Sequence, residues 1–353
     1  MNFTQLPDLA SRALAGSVVH ANDELFAERE NLIKPGPAAA REEFGVKGKV
    51  YDGWETRRRR EPGHDHAIVR LGVPGIVHGL VIDTSWFTGN YPPEASVEAT
   101  GVDGYPSPDE LAKADWVTLL PRSPLEGDTR NAFPVGDPQR FTHVRLSIYP
   151  DGGVARFRVH GEPLPDPRLL TGTVDLAALE NGGSVIDCSN MFYSSPTNLL
   201  LPGRATHMGE GWENARRRDA GNDHVTVRLA APGVVRRVEL DTSYFVGNAP
   251  GWARLSAGAV ELVPRTRLQP DTRHVFRVPP GPPVDQVRLD VYPDGGLARL
   301  RVFGEVDPPA LTELAERWLE CLPDQQLHHV LSSAGLPATL PLPPASLATL
   351  LEA

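Results

Sequence analysis

The residues best suited to chemistry crowd one short stretch. Asp52-Gly53-Trp54-Glu55-Thr56 runs into four arginines at 57–60, and Gly63-His64-Asp65-His66 follows. Arginine presents a planar fork of donors that grips a carboxylate through two parallel hydrogen bonds. Histidine titrates nearest to neutral pH and, beside a carboxylate, serves as acid or base. In an extended chain, alternation sends Arg58 and Arg60 to one side and Arg59 to the other. Plainer readings stand beside these. An arginine run is often a solvated face or an ion-paired one, here with Glu55 and Asp65. A lone histidine is often hydrogen-bonded to a turn. His64 and His66 also have the look of metal ligands, but positions i and i+2 share a face only on a regular strand. The spacing does not support a divalent metal, and no cofactor is firmly implied.

Asp83-Thr84-Ser85 closes an apolar stretch and leads to Gly89-Asn90, and Asp241-Thr242-Ser243 leads likewise to Gly247-Asn248. These side chains cap turns in one reading. In another they face a ligand at the loop end of a sheet. Asp151 and Asp294, each in a Pro-Asp-Gly-Gly string, read as turn formers. Neither Cys188 nor Cys321 is placed for nucleophilic catalysis, and there is no nucleophile elbow or phosphate-binding glycine loop.

The elements that must position these residues are written twice. Residues 53–90 match 211–248 at more than half of their positions, 120–133 match 263–276 around Asp-Thr-Arg, and 143–162 match 286–305 around Tyr-Pro-Asp-Gly-Gly. A fainter match joins 17–36 to 184–203. The spacing between matching blocks falls from 167 to 158 to 143 residues, so repeat one carries insertions of nine residues near 37–52 and fifteen near 91–119. Units of this size each own a core. His143–Pro150 and Ala155–Glu162 alternate polar and apolar with period two about an Asp-Gly turn, as hairpin strands do. The expected fold class is therefore mainly β: two tandem antiparallel β-sandwiches of the jelly-roll kind, with no helical period inside either. The expected boundaries are 1–163 and 184–306, with 164–183 a linker and 307–353 a helical extension carrying Leu311, Leu314, Trp318 and Leu322 at helical spacing.

Composition excludes several classes. Thirty-five basic against 45 acidic residues give a net charge of −10, which disfavours a nucleic-acid partner. Two isolated cysteines are no disulfide framework or zinc cluster and suit a reducing compartment. The N-terminal stretch lacks the pattern of a secretory signal, and no run of 18 apolar residues occurs. The expectation is a soluble cytoplasmic protein with no membrane partner.

The strings Asp52–Arg60, Gly63-His64-Asp65, Asp83-Thr84-Ser85 with Phe87 and Gly89-Asn90, and the second-copy run from Met191 to Arg218 resemble the allantoicase family. The likeness extends to about residue 306. It departs at His66 and His224, where the family usually has Trp, and at Asn214-Ala215 and Asn222. The resemblance implies jelly-roll domains of the galactose-binding-like type, allantoate as substrate, a place in purine degradation, and homo-oligomers. Allantoate is a carboxylate whose α-carbon bears two ureido groups. Replacing one by water, to give ureidoglycolate and urea, needs an acid for the departing nitrogen and a base for the water. On this basis Arg58 and Arg60, with Arg216 and Arg218, would hold the carboxylate, and Arg59 would add a substrate contact. Asn90, Asp223 and His224 would add substrate contacts. Glu55, His64, Asp65, His66 and Asp83 would supply acid, base and ureido contacts, with repeat one, which keeps the fuller motif, the favoured site. The rival readings are a non-catalytic jelly roll that binds a sugar-like ligand and an enzyme acting on ureidoglycolate.

Overall fold

The computed structural model describes residues 2–352. The chain divides into two compact units, Met1–Leu164 with Trp318–Leu340 and Pro165–Arg317 with Pro341–Ala353. Both are mainly β, and each follows the same plan.

In unit 1 one long strand, Asp65–Asp83, organises the sandwich. Its first half pairs with Ser17–Ala21 and with Arg140–Tyr149, the latter continuing through Glu94–Thr100 to Val117–Pro124. Its second half pairs with Arg130–Pro134 and Arg156–Pro163. Every pairing is antiparallel, and the register with Arg140–Tyr149 shifts between Arg70 and Gly75. Pro74-Gly75 sits at that shift, where a ladder donor is missing and the backbones close in. A side chain at Gly75 would lie 2.1 Å from the Glu162 carbonyl, so only glycine fits.

Unit 2 repeats this around Asp223–Asp241, which pairs with Ser184–Cys188, Val284–Tyr292, Arg273–Arg277 and Arg299–Val306, again with a register shift between Arg228 and Gly233. Residues 164–183, expected to be only a linker, include a strand, Thr173–Asp175, that pairs with Arg299–Val306. Three residues are too few to show a period in sequence.

Each core is anchored by an aromatic pair. Trp54 and Phe87 in unit 1 and Trp212 and Phe245 in unit 2 are at most 1% exposed. The indole N–H groups are satisfied by main-chain carbonyls, Trp54 by Asp23 at 2.8 Å and Trp212 by Asn190 at 2.9 Å. Arg140–Tyr149 departs from the expected half-buried alternation: it is buried almost throughout, as an inner strand between two neighbours. Trp116 and Tyr105 stack on Arg145 and Arg70 at 4.4 Å each, so the insertion unique to repeat one covers its outer face. That insertion also holds a single helical turn, Pro108–Leu111, closed by a Ser107/Glu110 capping box. It is too short to reveal itself by period.

The C-terminal stretch forms helices Pro308–Cys321, Asp324–Ser333 and Pro344–Glu352. Gln326, 2% exposed, donates to Asp103 within unit 1. Among the described residues no helix is long and apolar enough to cross a membrane.

Candidate functional site

The arginine run starts from a fixed point. Trp54–Glu55 pairs with Gly153–Val154, and Thr56 and Gly152 exchange main-chain and hydroxyl bonds of 3.1 and 3.2 Å. From there the chain crosses the loop end of the sandwich without further ladder bonds, so side chains hold it. Asp23 accepts from the Arg57 amide at 2.9 Å and pairs with its guanidinium. Asp151 Oδ2 accepts from the Arg59 amide at 2.8 Å. The result is an open cleft of about 500 Å³ lined by Asn22, Asp23, Asp65 and residues 57–61.

Alternation is obeyed from Arg58 to Arg60, while Arg57 is exposed beside Arg58. Arg58 and Arg60 are exposed, and among the described residues neither side chain has a hydrogen bond or ion pair. Arg59 turns inward: its Nη1 donates to Asp65 Oδ1 at 2.6 Å, with Asp65 only 1% exposed. Asn22 Nδ2 donates to the same oxygen at 2.9 Å, while its Oδ1 accepts from the His66 amide at 2.7 Å. One carboxylate oxygen of Asp65 thus takes two donors. The other, Oδ2, is buried with no protein donor. A buried carboxylate with one oxygen held and the other lacking a donor is a pre-oriented acceptor.

Glu55, at the head of the run, and Asn90 do not line the cleft; they bind each other, Asn90 Nδ2 donating to Glu55 Oε1 at 2.7 Å. Burial raises the Glu55 carboxyl above the ordinary range, and the Asn90 bond opposes only part of that effect. Asp23 behaves oppositely. Burial works against it, but hydrogen bonds from the Leu25 and Arg57 amides and the Arg57 guanidinium hold it below the usual range.

The histidines lie apart from this cleft. His66 is on the outer sheet face with His20, ring centroids 5.3 Å apart, and His64 packs over Tyr149 at 4.9 Å. Burial, helped by neighbouring His20, Arg145 and His64, pushes His66 down to about 4, so it is neutral at physiological pH. Period two puts Asp65 inside and His66 outside. Asp83 does not line the cleft either; its Oδ1 accepts from the Ser85 amide at 2.9 Å, a turn cap. Among the described residues no three His, Cys, Asp or Glu side chains converge as a metal site.

Unit 2 keeps the frame and alters the furnishing. Arg217 pairs with Asp223 at 2.9 Å, and Asp294 holds its amide at 2.7 Å. Asn248 donates to Glu213 at 2.6 Å. However, Ser189 replaces Asn22 on the buried carboxylate, at 2.8 Å, and Asp219 closes on Arg217 at 2.9 Å. Ala215 stands where Arg57 stands in unit 1. Arg216 and Arg218 are exposed. His224 pairs with Asp187 at 2.9 Å, and Asn222 donates to Asp290 at 3.0 Å.

Three residues of the unit 1 frame escape a reading of the central motif. Asn22 and Asp23 lie in the faint 17–36 repeat, which is where a signal for them exists. Asp151 belongs to a repeated string that reads as a hairpin turn, but the flanking strands pair with Asp65–Asp83 and not with each other, and its carboxylate holds the arginine run.

Comparison with known proteins agrees with this duplicated plan. The allantoicase repeat model matches twice, at residues 7–164 and 174–307. A probable allantoicase of Nocardia farcinica is 60% identical over 314 residues, covering 86% of this chain and 95% of that protein. A probable allantoicase of Streptomyces coelicolor is 50% identical over 339 residues, covering 90% of each. The crystal structure of allantoicase from Saccharomyces cerevisiae superposes with a TM-score of 0.75 at 35% identity, covering 85% of this chain and 93% of that one. With two matched repeats and this identity over most of its length, the chain belongs to the allantoicase family.

Proposed function

We propose that this protein is an allantoicase that hydrolyses allantoate to ureidoglycolate and urea in the cleft of unit 1. The observation that carries the placement is the division of labour in the arginine run. Arg59 is spent on Asp65, while Arg58 and Arg60 stand unpaired on the open side. Two free guanidinium groups suit the one full charge of allantoate, its carboxylate. Oδ2 of Asp65, buried and without a donor among the described residues, accepts a ureido N–H or takes a proton from the attacking water once substrate enters. Glu55 lies at the head of the run, outside the cleft lining; kept protonated further up the pH scale by burial, it would supply the proton for the departing nitrogen through a relay and not by direct contact. The carbon–nitrogen electron pair leaves with urea, the water oxygen bonds to the α-carbon, and its proton goes to Asp65. His64 and His66 then have no part in the proton transfers.

A sugar-binding reading is less favoured, because among the described residues no aromatic side chain lines the cleft to stack on a sugar ring. The test is urea release from allantoate by purified protein, run beside ureidoglycolate. Urea from allantoate with a matching yield of ureidoglycolate supports the proposal. Release of urea only from ureidoglycolate moves the activity to the next step, and release from neither removes the catalytic reading.

A further inference from the structure

Unit 2 holds a second cleft, of about 310 Å³, away from its arginine run and lined by residues that include Asp241, Arg273, Arg299 and Arg301. Its centre is Arg299, 5% exposed. Three main-chain carbonyls fix the guanidinium: Nη1 donates to Glu210 at 2.7 Å and Ala298 at 2.8 Å, and Nε to Gly203 at 3.2 Å. Among the described residues no carboxylate bonds to it, and Nη2 donates to no protein acceptor.

Repeat one shows what chemistry completes this arrangement. The matching Arg156 uses the same carbonyl contacts, its Nη1 on Asp52 and Ala155 at 2.9 and 2.7 Å. Its Nη2, however, donates to the Asp52 carboxylate at 2.7 Å. In unit 2 the matching residue is Glu210, and its carboxylate is turned away, accepting from the Thr206 amide at 2.6 Å and hydroxyl at 3.0 Å. The position that an internal carboxylate fills in one repeat is therefore open to an external one in the other.

A second difference supplies the other half of a site. In unit 1, Arg130 approaches Asp83 at 3.7 Å. In unit 2 the matching Arg273 is drawn off by Glu239, at 2.6 and 2.8 Å, where repeat one has Val81. Asp241 spends Oδ1 on the Ser243 cap, and no donor reaches Oδ2 among the described residues. The cleft thus offers an oriented guanidinium donor and a carboxylate acceptor. Its size is at the lower end for small-molecule sites.

We infer that this cleft in unit 2 is a second ligand site, distinct from the arginine-run cleft, for a small carboxylic acid that also carries N–H donors, the carboxylate on Arg299 and the N–H groups on Asp241. Glu210 and Asp241 act on this buried guanidinium only at a distance, without a hydrogen bond to it, so an anion on Nη2 restores the direct pairing that repeat one builds in. The requirement for both groups sets the class: amino, amido or ureido acids fit, while plain carboxylates make half of the contacts.

Isothermal titration of the full-length protein with N-carbamoylglycine tests this, with N-carbamoylglycinamide as the neutral control. The expected result is a binding event that weakens at least tenfold in Arg299→Lys, which keeps the charge and loses the fork. Asp241→Asn, which retains the Ser243 cap and so keeps the fold, should weaken the same event to a similar extent, and the amide should fail to produce it. If the arginine-run cleft also binds the probe, the wild type takes two per chain and each variant one. If it does not, the numbers are one and none. Binding to both variants with unchanged affinity and stoichiometry, or equal binding of the amide, overturns the inference.

Discussion

Replacing Asp65 by Asn separates structure from chemistry, because the molecule contains its own control. Asp65 is 2% exposed in its side chain and takes Arg59 at 2.6 Å and Asn22 at 2.9 Å on one oxygen. Asn keeps that acceptor, removes the charge and puts an N–H₂ where Oδ2 finds no protein partner. An unsatisfied buried donor costs about 1–3 kcal/mol. The lost charge adds less than the ~3–5 kcal/mol of a fully buried pair, since Arg59 is 26% exposed. A total near 2–4 kcal/mol follows from the two effects, enough to lower the melting temperature and leave the protein folded at 25 °C. Asp223→Asn makes the same change in unit 2. There the Ser189 hydroxyl can rotate and Asp219 retains part of the charge on Arg217, so about 1–2 kcal/mol is expected. Turnover, measured as urea released per second at saturating allantoate, should fall about 10²–10⁴-fold in Asp65→Asn as for loss of a general base. In Asp223→Asn it should stay within about threefold of wild type. Thermal melts on both variants check the stability half. Equal loss of turnover in the two variants, or near-normal turnover in Asp65→Asn, would refute the assignment of the base to unit 1.

Three other outcomes are expected. Arg58→Ala combined with Arg60→Ala should raise KM for allantoate at least about tenfold with little change in melting temperature, because both side chains are exposed and unpaired; steady-state kinetics and a melt decide it. Glu55→Gln should lose the alkaline limb of the kcat–pH profile. Because the folded Glu55 holds its proton above the unfolded value, its burial makes wild-type stability decline as pH rises from about 4.3 through the raised folded value, and the Gln variant should lack that decline in pH-dependent melts. Asp52→Asn should cost about 2–4 kcal/mol, because Arg156, 3% exposed, loses its carboxylate. Although burial opposes it, Arg156 holds Asp52 below the ordinary range. The stabilisation is therefore present above about 3.9 and lost as pH falls through the lowered folded value, so the gap between Asp52→Asn and wild type should close in acid.

The sequence shows the duplication, the strands and the two-sidedness of the arginine run because each leaves a periodic mark: a recurring block, or a period of two. Arg59 inward with Arg58 and Arg60 outward is that period applied to three residues. The same period, carried one residue past Asp65, puts His66 on the opposite face, so grouping the histidines with the carboxylates by nearness in sequence is the less physical choice. Asn22 is another matter. It reaches Asp65 because Ser17–Ala21 pairs beside Asp65–Asp83, with a register shift between Val18 and His20 that no local pattern announces. Asp151 reaches Arg59 across the Gly153–Glu55 pairing, a contact spanning 92 residues. Thr173–Asp175 joins a sheet because Arg299–Val306 offers it an edge, not because three residues prefer to be extended.

The mechanism turns on where allantoate sits. A crystal structure of the Asp65→Asn protein soaked with allantoate measures it directly. The account predicts the ligand in the unit 1 cleft, its carboxylate within hydrogen-bond reach of Arg58 or Arg60 and a ureido group toward residue 65. A ligand bound elsewhere, with that cleft unoccupied, would contradict it.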